Sequence, residues 1–131
     1  MLIIPTYIAQ SSIHGFGVYT RVAVKAGQIV SRYMPPFDVS YPKELMAVVQ
    51  PAEREYLLNY SYLSVFTDVY VLTGDNDRYM NHSDLPNVGM NPDGSTTNVA
   101  LRDIAADEEL TCDYRSFDAD WQKKLPHLCK S

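Results

Sequence analysis

Asn81-His82-Ser83-Asp84-Leu85-Pro86-Asn87 sets an amide, an imidazole, a hydroxyl and a carboxylate side by side, ahead of a turn-forming Pro-Asn pair. Three chemistries compete for His82. A zinc site needs further ligands at workable spacing, but the other histidines are His14 and His127, and Asp84 on the same turn is a weak second ligand. A Ser-His-Asp hydrolase needs its serine on a sharp elbow, and no G-x-S-x-G occurs. A polar turn with satisfied side-chain hydrogen bonds is the plainest local reading. Gly15-Phe16-Gly17 is the second candidate. It lacks the longer G-x-G-x-x-G and the following helix, so it is no Rossmann loop. As a tight turn between strands it would still let main-chain N–H and C=O groups approach a ligand carrying an amine and a carboxylate. Ten tyrosines in a chain of 131 residues form the third signal. A buried tyrosine needs a partner for its hydroxyl, so some of these rings are candidates to line a pocket.

The elements that must hold these groups belong to one domain. The length suffices for a hydrophobic core, and nothing in the composition suggests disorder. A formal net charge of -5 speaks against wrapping a phosphate backbone, so no direct nucleic-acid binding is expected, and it is compatible with attracting basic peptides. Cys112 and Cys129 are too few for a disulfide framework and form no C-x-x-C pair, which fits a reducing, cytoplasmic setting. The opening MLIIPTYIAQ has no basic flank and is broken by Pro5, unlike a signal peptide, and no apolar run is long enough for a bilayer. Short β-rich runs bounded by Gly, Pro, Asn and Asp fill both ends: LIIPTYIA, GVYTRVAV, QIVSRY, FTDVYVLTG, TNVALRDIA and ELTCDY. PKELMAVVQ and PAEREYLLNYSYL each open at a proline and continue with helix formers, predicting two short helices in an insert at about 42–62. The result is an α+β, mainly β domain. Phe117, Trp121, Leu125 and Leu128 recur at roughly helical spacing in the tail, 115–131, which predicts a short amphipathic helix docked on the body.

Order along the chain separates the readings. IHGFGVYTRVAVKAGQIVSRY, then DRYMNHSDLPN, then VALRDIAADEELTCDY together resemble the SET-domain family of protein lysine methyltransferases. The family's glycine motif is matched by Gly15-Phe16-Gly17, its strand-ending tyrosine by Tyr33, its R-[FY]-x-N-H-S-x-x-P-N block by Arg78 to Asn87, and its E-L-x-x-D-Y block by Glu109 to Tyr114. The resemblance covers almost the whole chain and is weakest from Met34 to Leu72. It implies a single SET (β-clip) domain of short curled sheets, with a helical insert and a knot-like C-terminal crossing. It further implies transfer of a methyl group from S-adenosyl-L-methionine to the ε-amine of a lysine in a protein or peptide substrate, such as a histone tail. By the same carry-over Tyr114 is the catalytic tyrosine and Tyr33 a second channel tyrosine, with Cys112 and Met90 on the substrate channel. His14, Gly15, Phe16, Gly17, Arg78, Tyr79, Asn81, His82, Tyr114 and Trp121 fall on the cofactor side. Asn81 is expected to act with its side chain, His82 mainly with its main chain, its ring being fixed by internal hydrogen bonds. Glu109 and Asp113 are expected to pin the crossing.

Three departures from the pattern carry consequences. The family's glycine two residues after the channel tyrosine is Pro35 here. Asp84 stands where many relatives have cysteine, and no C-x-C-x₄-C follows Tyr114, so no zinc-bound C-terminal module and no metal is expected. The tail, through Trp121 or Phe117, is the expected closure of the cofactor pocket. Cys112 replaces the Phe or Tyr that limits methyl number in relatives, which implies room for products beyond monomethyl-lysine. Some minimal members, among them viral and bacterial proteins, pair to complete the substrate face, so a homodimer is expected on the same basis; a histone substrate would place the chain in a nucleus or a host cell. The rival of a different class is a degenerate SET domain that binds peptide or cofactor without turnover.

Overall fold

The computed structural model describes residues 1–129 as four small sheets, three of which border one apolar cluster. Strands β1 (Thr6–Gln10) and β2 (Phe16–Thr20) form an antiparallel hairpin, in register from Thr6↔Thr20 to Gln10↔Phe16. Its loop closes through Ser11 N–H on Gly15 O (2.7 Å), with Gly15 at φ +48°, a conformation that a side chain would strain. Strands β3 (Ile29–Arg32), β8 (Val88–Met90) and β9 (Thr97–Ala100) make a second sheet in the order β3-β9-β8. Strands β4 (Val39–Tyr41), β5 (Ser61–Leu63) and β6 (Tyr70–Leu72) make a third, with β6 central. The last sheet is a parallel pair, β7 (Asn81–His82) with β10 (Thr111–Cys112), and it lays the C-terminal segment alongside the Asn-His-Ser block.

Val18, Val30 and Leu110 are fully buried, and Ile4, Val24, Met80, Val88, Ala100 and Ile104 complete the core around them. Removing such side chains from water contributes about 1.5–3 kcal/mol each. The cluster draws on β2, β3, β8, β9 and the residues flanking β7 and β10, so the sheets carrying the glycine loop, the Asn-His-Ser block and the C-terminal Asp-Tyr block are fastened to one another through it.

Helix α1 (Pro51–Tyr60) opens on its proline and buries no residue. It is held by polar and aromatic anchors instead: Arg54 donates to Met46 O (2.7 Å) and Val49 O (3.2 Å), capping the preceding 3-10 turn, Lys43–Ala47. The expected helix over PAEREYLLNYSYL stops at Tyr60. Ser61 to Leu63 pair with β6 as β5, and the buried Ser61 hydroxyl takes the Tyr41 phenol (2.7 Å), so tertiary pairing overrides local helix preference. In the tail, helical spacing yields only one α-turn, α2 (Trp121–Lys124), followed by the 3-10 turn Pro126–Cys129, because Pro126 cannot donate the hydrogen bond that continuation requires. Of LIIPTYIA only the part after Pro5 is strand; Leu2 makes an isolated bridge to Ser31.

Candidate active site

Asn81 ties three distant segments together. Its Nδ2 donates to His14 O (3.1 Å), Phe16 O (3.1 Å) and Glu109 Oε2 (3.0 Å). Glu109 in turn accepts from Ser11 Oγ (2.8 and 2.9 Å) and the Tyr19 phenol (3.4 Å). The glycine loop, the Asn-His-Ser block and the C-terminal segment therefore share one carboxylate. Gly17 is required by that carboxylate: a Cβ there would lie 2.4 Å from Glu109 Oε2. Asn81 Oδ1 accepts no hydrogen bond among the described residues and remains able to take an ammonium donor.

His82 and Tyr114 form the second unit. The Tyr114 backbone N–H donates to His82 Nδ1 (3.2 Å), which makes Nδ1 the acceptor and leaves the ring hydrogen on Nε2, facing Asp84 Oδ1 (3.2 Å). The Tyr114 phenol donates to Met80 O (2.6 Å). The tyrosine is thus clamped at both ends by the two residues that flank Asn81. Burial, with help from neighbouring Cys112 and Asp118, pushes its phenol above the ordinary tyrosine range, so it stays protonated near neutrality. With its hydrogen committed to Met80 O, the oxygen presents lone pairs, suited to a positive charge nearby.

A cleft of about 1000 Å³ opens beside this tyrosine. Tyr33, Met90, Cys112, Tyr114 and Arg78 all line it, which unites both predicted channel tyrosines with both channel-wall residues. The Tyr33 phenol is held by Ser40 Oγ (2.7 Å) at the exposed end. Cys112 is pushed up as a thiol by desolvation, so it acts as a small neutral wall. Arg78 donates to Thr73 O (3.1 and 2.8 Å) and to the Tyr56 phenol, and Tyr79 meets Tyr60 edge-on (5.5 Å), docking α1 against the block. Asp113 sits 3.6 Å from His82 Nδ1 and pairs with Arg115 Nε (2.9 Å). His14 contributes its carbonyl to Asn81, while the Phe16 ring is exposed to solvent.

Of the two tail aromatics, Phe117 lines the cleft, edge-on to Tyr62 (5.0 Å) and Tyr114 (6.0 Å); Trp121 is not one of its walls. His82 and Asp84 pair, yet no group of three or more His, Cys, Asp or Glu is placed to hold a metal ion among the described residues. Sequence reasoning missed the Met80 carbonyl, which has no side-chain signature, and the Asp118–Lys124 pair (2.7 Å), which joins tail residues to the cleft.

This fold and this arrangement of glycine loop, Asn-His-Ser block and clamped tyrosine define a SET domain, and the sequence pattern of that domain matches residues 15–115: the chain belongs to the SET-domain family. It is 35% identical, over 97% of its length, to the Emericella nidulans "Histone-lysine N-methyltransferase, H3 lysine-4 specific", and 32% identical, over 85%, to "Histone-lysine N-methyltransferase ATX2" of Arabidopsis thaliana. The chain spans 11% of the length of each of these curated relatives. Among solved structures, ctPRC2 in an autoinhibited conformation bound to S-adenosylmethionine is similar in fold, with a TM-score of 0.65 at 20% identity over 95% of this chain and 17% of that one. KRYPTONITE in complex with mCHH DNA, H3(1-15) peptide and SAH has a TM-score of 0.58 at 22% identity over 86% and 24%.

Proposed function

We propose that this chain is an S-adenosyl-L-methionine-dependent protein-lysine N-methyltransferase acting on a lysine ε-amine of a protein substrate. The observation that carries the reading is the double clamp on Tyr114 by Met80 and His82, which joins a neutral, oriented phenol to the Asn81 shelf on one side and the cleft on the other. The residues present fit the cofactor. Asn81 Oδ1 is available to an α-ammonium, and the Gly15–Gly17 backbone lies against the same amide. When bound, S-adenosylmethionine supplies an electrophilic methyl group on a sulfonium.

The chain's own residues supply orientation and electrostatics. A lysine with reference pKa near 10.4 must lose its proton, which costs about 4.6 kcal/mol at pH 7, and an aromatic wall of Tyr114, Phe117 and Tyr62 lowers that cost by disfavouring the ammonium. Tyr114 cannot take this proton, because burial keeps its phenol protonated; the proton leaves through the cleft to water. Tyr33 lines the open end of the cleft with its phenol on Ser40, which supports a role in aligning the incoming nitrogen. Cys112 leaves space beside the reacting nitrogen, supporting products beyond monomethyl-lysine.

The named specificity of the relatives makes histone H3 the first substrate to test. Incubation with labelled cofactor and basic peptides should label lysine peptides and spare their arginine-substituted counterparts. Cofactor binding with no transfer to any lysine peptide would replace the enzyme reading with the binding-module one. Phe117 as the closing aromatic and a homodimer belong to the same proposal; cofactor affinity of Phe117→Ala and sedimentation equilibrium read them in turn.

A further inference from the structure

Lys124 reaches into the cleft although it comes from the tail. Its side chain is 14% exposed, and Nζ donates to Ser61 O and to Asp118 Oδ2 (2.7 Å), lying 5.7 Å from the centre of the Tyr114 ring. Asp118 is 1% exposed. Its Oδ1 is served by the backbone N–H groups of Leu63 (3.1 Å) and Asp120 (2.9 Å), while Oδ2 has only Lys124 among the described residues. A buried carboxylate with one oxygen tied to backbone and the other turned to an ammonium must keep a cation there, since leaving it unpaired is costly. The Ser61 carbonyl gives a second acceptor and the Tyr114 face a third attraction. Asp118, Ser61, Tyr114 and Lys124 all line the cleft that holds Tyr33 and Cys112. The helix that delivers Lys124 is four residues long and buries none of them; the chain just before it is fastened by Ala119 N–H on Leu63 O (2.8 Å) and by the Tyr70 phenol on Asp120 (2.6 Å), so the turn can swing about that fixed flank.

We propose that Asp118, the Ser61 carbonyl and the Tyr114 ring form an entry site that receives the charged head of the substrate lysine before it loses its proton and moves on, neutral, to the point of transfer, and that Lys124 is the resident competitor for that entry site. The substrate's side chain is chemically the same as the one already seated, and the two cannot share the site. The tail turn carrying Lys124 withdraws when substrate binds. The inference rests on the methyltransferase reading of the cleft. If Lys124 holds the site nine-tenths of the time, apparent substrate affinity is lowered about tenfold.

Amine footprinting of the unaltered chain tests this directly. Under brief acylation Lys124 should react slowly beside Lys25, which is 84% exposed, and Lys123, which is 64% exposed. A saturating basic peptide with one central lysine should raise Lys124 reactivity to that of Lys123, and its norleucine counterpart should not. In Lys124→Met, the lysine peptide should bind about tenfold tighter, read by the fluorescence of the single tryptophan, Trp121, on the same helix, and the gain should vanish in Asp118→Asn/Lys124→Met. Unchanged Lys124 protection with peptide, or equal unmasking by the norleucine peptide, would overturn the proposal even if Lys124→Met does not fold. Unmasking without turnover would instead remove the methyltransferase reading and leave the ammonium site standing.

Discussion

Replacing Gly17 with alanine should uncouple the glycine loop from the Asn81 shelf, and a mutant cycle with Glu109 isolates the effect. The added Cβ would lie 2.4 Å from Glu109 Oε2 and 3.1 Å from Ser11 Cβ. Oε2 is the oxygen that takes the Asn81 amide (3.0 Å) and shares the Ser11 hydroxyl (2.9 Å), so the carboxylate must leave both. Hydrogen bonds to a charged group contribute about 1.5–3 kcal/mol each, and Oε1 retains Ser11 at 2.8 Å, so a loss of about 3 kcal/mol is expected for Gly17→Ala. In Glu109→Ala the carboxylate is gone and only the tight 3.1 Å approach to Ser11 Cβ remains. Gly17 carries no positive φ, and alanine at such a site would otherwise stabilise by about 0.4–1 kcal/mol through the unfolded chain. Gly17→Ala should therefore be nearly neutral in the Glu109→Ala background, giving a coupling of about 3 kcal/mol by urea unfolding of the four proteins. Calorimetric titration should show weaker S-adenosylmethionine binding in Gly17→Ala, because Asn81 loses its anchor. Additive stabilities, within about 0.5 kcal/mol, would refute the claim that Gly17 is glycine on account of Glu109.

Tyr114→Phe, which keeps the ring but loses the bond to Met80 O, should fold and lose roughly 100-fold in kcat; near-normal turnover would remove Tyr114 from the chemistry. Cys112→Phe should restrict the product to monomethyl-lysine by mass spectrometry, while the unaltered chain goes further under excess cofactor; identical product mixtures would show that Cys112 does not gate the site. Asp77 has its carboxyl pushed up to about 6, chiefly by desolvation, so the folded state holds its proton more tightly than the unfolded one. Stability from this group is present at pH 4 and declines as pH rises through about 6, by up to about 3 kcal/mol, and Asp77→Asn should flatten that slope in denaturant titrations at pH 4 to 7.

The parts of the site that sequence made legible are those where one residue type does one job at a fixed local spacing. Gly15 must adopt a positive φ, Asn81 and His82 must sit together on a two-residue strand, and Tyr114 must come two residues after β10, so each leaves a pattern of a few letters. Helix α1 was legible from its proline and helix formers. The strand β5 was not, because its preference for pairing comes from β6 and from the Tyr41 phenol rather than from its own residues. The resemblance supplied Glu109 as a pin, but Gly17 faces it for a tertiary reason: the two are brought together by β2 meeting the segment before β10. Lys124 and Asp118 are the extreme case. Nothing in DADWQKK marks one lysine as buried; its meaning arises only because the tail crosses back over Tyr114, to which it is joined by charge and not by a sequence motif. A short polar tail can therefore carry the least readable and most consequential part of such a site, since a single ammonium in a pocket built for ammonium decides whether the pocket is open.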